Sequence, residues 1–160
     1  MKAFWCFLAT VLSMTVLFNA CKKDDTTPPT PATTSYSAVV NGAQEKPTST
    51  TSTGSGTFAG RLTNDTRVLS YTVTYAGLTT TTATAGHIHR ITNADGTGPV
   101  VVPFPTMPAS TTGSMLATSP ISGTAVLRQS LIDSMNAGQT YVNLHTSRFP
   151  AGEIRGDIKR

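Results

Sequence analysis

One stretch of this chain alternates too regularly to be anything but a β-strand with one buried face. Leu69, Tyr71, Val73 and Tyr75 are apolar or aromatic, while Ser70, Thr72 and Thr74 between them are polar. A period of two is the pleat of a strand, whose successive side chains point to opposite faces. Residues 54–62 precede it as a second strand candidate, and Asn64-Asp65 lies between the two, so a hairpin over 54–76 is predicted. Shorter runs of strand character recur at 35–41, 85–91, 100–102, 114–118, 122–127, 141–146 and 154–159, separated by Gly-, Pro- and Asn-containing turns. Helical spacing occurs once, in Leu127, Leu131, Ile132 and Met135, with Gly138 at the stop position, which predicts a helix over 128–137. Thr, Ser, Gly and Val dominate while Lys, Glu and Leu are scarce, which favours strands over helices. Seven to nine such strands predict an all-β fold: an antiparallel β-sandwich or immunoglobulin-like flattened barrel with one short helix.

The N-terminus is of a different kind. Lys2 is followed by an uncharged apolar run over residues 4–18, shorter than the roughly 20 residues that a spanning helix needs. The run closes on Asn19-Ala20-Cys21, which resembles the lipobox of bacterial lipoproteins, where the cysteine is acylated and becomes the first mature residue. An ordinary secretory signal cut nearby is the alternative. Lys22-Lys23-Asp24-Asp25 resembles the charged tag that sends some Gram-negative lipoproteins to the outer face of the outer membrane. The Thr- and Pro-rich residues 26–34 cannot bury apolar area and read as an extended tether. The expected organisation is therefore a signal peptide over 1–20, a lipidated Cys21 with its tether over 21–34, and one domain over 35–160. The expected location is the outer membrane, at the cell surface, with the membrane as a partner through the lipid. Cys6 leaves with the signal and Cys21 carries the lipid, so the domain has no disulfide and no thiolate metal site.

Net charge is +4, but charged residues make up only 12% of the chain and no basic run is interleaved with aromatics, which argues against nucleic-acid binding. No phosphate-cradling loop or dinucleotide fingerprint is present. Asn93, Asp95 and Gly96 lack the bidentate acid that ends a calcium loop and read as a turn.

The chemistry concentrates in the three histidines. His87 and His89 share one face of their predicted strand, with Ile88 on the other. Tyr141, Asn143 and His145 likewise share a face, opposite Val142 and Leu144. If the two strands meet, three imidazoles converge in a site suited to copper or zinc, with Glu153 as a fourth ligand or as a group that orients a ring. The competing reading is a metal-free polar patch, with the histidines bonded to Asn143, Thr146 or backbone. Glu153, Arg155 and Asp157 fall on one face by counting, so Arg155 is expected to pair with a carboxylate there.

The order His87-Ile88-His89, Gly98-Pro99-Val100-Val101-Val102, Ala137-Gly138-Gln139-Thr140-Tyr141-Val142-Asn143-Leu144-His145-Thr146, then Pro150-Ala151-Gly152-Glu153-Ile154-Arg155-Gly156 resembles the CHRD (chordin-type) domain. The likeness spans essentially the whole of residues 35–160. It implies a β-sandwich or immunoglobulin-like barrel in secreted and surface proteins, with no established biochemical activity. It also implies a limited likeness to copper/zinc superoxide dismutases, carried here by His87-Ile88-His89. Superoxide chemistry of that kind needs further histidines and an aspartate for a second metal, and this chain has only three histidines. The expectation is a non-enzymatic binding or structural module with a protein or glycan ligand, its alternative a copper- or zinc-binding protein.

Overall fold

The computed structural model describes residues 28–79, 83–105 and 121–160, without the side chains of 121–124. The expected signal peptide, Cys21, the charged residues 22–25 and the strand candidate at 114–118 lie outside the described residues. Eight strands are present: β1 (Thr33–Asn41), β2 (Ser55–Thr63), β3 (Val68–Ala76), β4 (Ala83–Arg90), β5 (Val100–Pro103), β6 (Ile121–Val126), β7 (Thr140–Thr146) and β8 (Ile154–Asp157). They form a single sheet in the order β5-β4-β7-β8-β1-β2-β3-β6, with every pairing antiparallel. The sheet curls into a nearly closed barrel, the flattened-barrel form of the expected all-β fold. Its two edges, β5 and β6, line a cleft of about 470 Å³ with Val101, Val102, Ala125, Val126 and Leu131.

The alternation that predicted β3 does what a pleat requires. Leu69, Tyr71, Val73 and Tyr75 are all buried and pack with Val40 and Phe58 in the barrel interior. The hairpin turns at residues 64–67, where Arg67 takes φ +55. β1 begins two residues earlier than the composition suggests: Thr33 and Thr34, assigned to the tether, pair with Thr63 and Leu62. Exposed threonines are good strand formers, and an available edge of β2 is enough to order them.

The predicted helix is α1 (Gln129–Asn136), which buries Ile132 and Met135 in the barrel core. It ends as Gly138 foretells. Gly138 takes φ +67, its N–H donates to the Met135 carbonyl, and the Gln139 N–H donates to the Ser134 carbonyl. This pair of bonds satisfies carbonyls that the end of a helix leaves open.

Candidate metal centre

β4 and β7 are direct neighbours, with His87 opposite Asn143, His89 opposite Tyr141 and Ala85 opposite His145. Ile88, Val142 and Leu144 are fully buried in the core, so the histidines stand on the outer face of the barrel wall. That face is roofed by loops, because Tyr141, Asn143 and Arg155 on it are 5%, 2% and 0% exposed. The three imidazoles converge. They offer one nitrogen each within 4.8 Å of one another, and all three rings are half-buried. His87 Nδ1 lies 3.3 Å from His145 Nε2. Metal–imidazole bonds of about 2.0–2.1 Å in a tetrahedral site put neighbouring nitrogens about 3.3–3.4 Å apart, so this separation already suits coordination.

Backbone carbonyls fix two tautomers, and in the metal-free site His145 Nε2 accepts from His87 Nδ1–H across the 3.3 Å gap. His89 Nδ1 is 2.9 Å from the Gly98 carbonyl and His145 Nδ1 is 3.0 Å from the Pro150 carbonyl. A carbonyl oxygen only accepts, so both Nδ1 atoms carry hydrogen and both Nε2 atoms keep their lone pairs. His89 Nε2 is buried without a hydrogen-bond partner. Such an orphaned acceptor costs about 1–3 kcal/mol, a cost that a coordinated cation removes. Burial lowers the pKa of all three rings. For His87 burial comes first, the charges of His145 and His89 add to it, and the pKa falls to about 4. For His89 and His145 the carbonyls of Gly98 and Pro150 partly offset the effect of burial. The cluster is therefore neutral at pH 7, the protonation state in which imidazole ligates metal.

The loop after β4 builds one wall. Asp95 accepts from the Thr97 N–H and hydroxyl, which curls the loop so that the Gly98 carbonyl meets His89 and the Gly96 carbonyl meets Arg155. Only glycine fits at position 98, since a Cβ there would overlap the Arg90 carbonyl oxygen. Beside it a stack forms. The His89 ring lies on Tyr141, with centroids 4.7 Å apart and planes 6° apart, and the Arg155 guanidinium lies 3.6 Å over the Tyr141 ring. Arg155 pairs with a carboxylate as expected, that of Asp157 at 3.0 Å.

Two of the polar residues singled out in the sequence do not join the imidazoles. Asn143 Nδ2 donates to Glu45, whose pKa burial raises despite bonds from the Lys46 N–H and Asn143. Glu153 is fully buried but accepts from Ser52, Thr79 and Thr146, so it neither ligates with the histidines nor orients them. The reason is local. β8 begins only at Ile154, so Glu153 lies before the strand and counting by twos from Arg155 assigns it the wrong face. Among the polar partners expected for a metal-free patch, backbone carbonyls are the ones the rings engage; Thr146 serves Glu153 instead. Tyr141 and the carbonyls of Gly98 and Pro150 were not foreseen as parts of the site. The Gly98-Pro99 pair was the available signal for the first of these carbonyls, as it marks a tight loop beside a strand.

A family model described as the CHRD domain matches residues 36–158. The chain belongs to the CHRD domain family. The match takes in most of β1, the whole of β2 to β8 and all three histidines. A search of curated proteins and a search of solved structures each found no match. Membership supports a non-enzymatic module, and among the described residues of this CHRD domain the imidazole cluster is a group whose nitrogens lie close enough together that they could hold a metal ion.

Proposed function

We propose that this CHRD domain is a non-enzymatic module that captures copper or zinc through His87, His89 and His145. The observation that carries the reading is the convergence of three neutral imidazole nitrogens within 4.8 Å. Three nitrogen ligands on a rigid sheet, with two of the rings oriented by carbonyls, are preorganised for a transition metal. The lipobox-like Asn19-Ala20-Cys21 and the charged residues after it support display on a lipid anchor at the outer face of a Gram-negative outer membrane. The test is calorimetric titration of the detergent-solubilised, chelator-stripped chain with zinc and with copper. A 1:1 complex that disappears in His89→Ala is expected. No binding and no gain in heat stability with either metal discards the reading. The anchor is tested separately: Cys21→Ser should abolish labelling by a radioactive fatty acid and release the protein from the membrane fraction.

A further inference from the structure

The sheet ends in two free edges, and the gap between them carries positive charge and unpaired backbone groups. β5 and β6 bound the cleft of about 470 Å³, walled by Val101, Val102, Val126 and Leu131 and flanked by Arg90 and Arg128. The hydrogen bonds give the direction of the backbone there. The Leu127 N–H donates to the Arg67 carbonyl, and the Arg90 N–H donates to the Pro99 carbonyl. In an antiparallel ladder, residues that lie between such widely spaced bonds face their partners without bonding to them. Val126 opposite Val68 and Val100 opposite His89 stand in that position. Each therefore aims its own N–H and C=O away from the sheet, at the free edge. No other backbone bond among the described residues engages either one. Their side chains are open as well, Val126 at 73% and Val100 at 45%, which makes them two of the three large apolar side chains left exposed among the described residues.

These features choose an occupant. An acyl chain leaves the donors and acceptors of a sheet edge unsatisfied, whereas an extended polypeptide bonds to them directly. Alternate side chains of such a strand face the cleft, where Val126 and Leu131 offer apolar contact. The charge of the occupant follows from the two arginines. Arg90 and Arg128 are exposed, neither forms an ion pair among the described residues, and no carboxylate lines the cleft. A second copy of this chain would bring further arginines to the place rather than the anions it lacks.

We propose that the free edge of β6 binds an extended, carboxylate-bearing segment of another protein as an added strand, with acidic side chains of that segment on Arg90 and Arg128. The probe is a fluorescent peptide of alternating valine and threonine with a glutamate at each end, added to the full chain in lipid nanodiscs, where no detergent competes for the cleft. Fluorescence anisotropy should report saturable binding. Methylating the backbone nitrogens of the peptide removes its donors and should weaken binding at least about tenfold. Replacing both glutamates by lysine should weaken it about tenfold, the worth of two exposed ion pairs, and so should Arg90→Gln combined with Arg128→Gln. Circular dichroism identifies a variant that fails to fold, and the lysine peptide on the unaltered chain then decides the charge. Undiminished binding of the methylated peptide shows an apolar site indifferent to backbone, and overturns the proposal. Equal binding of the lysine peptide overturns it too. Capture of an untagged second copy by a tagged chain, lost in Val126→Lys, assigns the edge to self-association instead and overturns it. Absence of binding by the glutamate peptide overturns it outright.

Discussion

In chelator-treated protein, acid should erode stability through His87 ahead of any general acid denaturation. Its pKa stands at about 4 in the fold against 6.5 for an ordinary imidazole, through burial first and then the charges of His145 and His89. The unfolded chain takes a proton on this ring near pH 6.5, and the folded chain does not until about 4. Between those values the unfolded state binds more protons, so stability falls as pH falls and levels off below about 4. The whole gap corresponds to about 3.4 kcal/mol at 1.36 kcal/mol per pH unit; a half-buried, solvent-screened ring realises about 1–2 kcal/mol of it. For a domain of this size that is a drop of about 4–8 °C in Tm. His89 and His145 shift in the same direction and add to the loss. Glu45 works oppositely, because its raised pKa contributes stability that is lost as pH rises. Comparison with His87→Gln isolates the His87 share. The assay is urea unfolding followed by circular dichroism at about pH 7 and about pH 4.5, where the variant should lose about 1–2 kcal/mol less than the parent. Parallel losses in the two proteins refute the reasoning.

Three further outcomes are expected. Saturating zinc at about 100 times its dissociation constant should raise unfolding stability by about 2.7 kcal/mol, a gain seen in thermal melts and absent in His145→Ala. Gly98→Ala forces a Cβ into the Arg90 carbonyl and displaces the carbonyl that holds His89. It should cost about 1–3 kcal/mol and weaken zinc binding by about tenfold, as melts and titration will report. Leu144→Ala empties a fully buried core position on the opposite face of β7 and should cost about 2–5 kcal/mol by urea unfolding while preserving 1:1 metal stoichiometry.

Local pattern carried the parts of this fold that local physics decides. The strict alternation of β3 exists because one face of the strand is core, and the glycine that ends α1 exists because the backbone there takes φ +67. The shared face of His87 and His89 followed from the same pleat, and the neighbouring of β4 and β7 made it a cluster. The roof over that cluster was not legible. Tyr141, Asn143 and Arg155 alternate with core residues as surface side chains would, yet loops from 41–54 and 91–99 bury them, and such long-range contacts leave no periodic mark. Glu153 was misplaced for a different reason: it lies just before β8, outside the regular strand on which a count of two depends.

His87 and His145 stand 58 residues apart in the chain, and the domain has no cysteine to bridge such a span. An ion gripped by both would act as a removable clasp between two distant stretches of polypeptide. Because the ion departs when the chain unfolds, the clasp strengthens the fold by mass action, by an amount set by the ion's concentration relative to its dissociation constant. Loading the site would thereby toughen the whole barrel against heat and proteases, and stripping it would relax the barrel again, with no covalent bond made or broken.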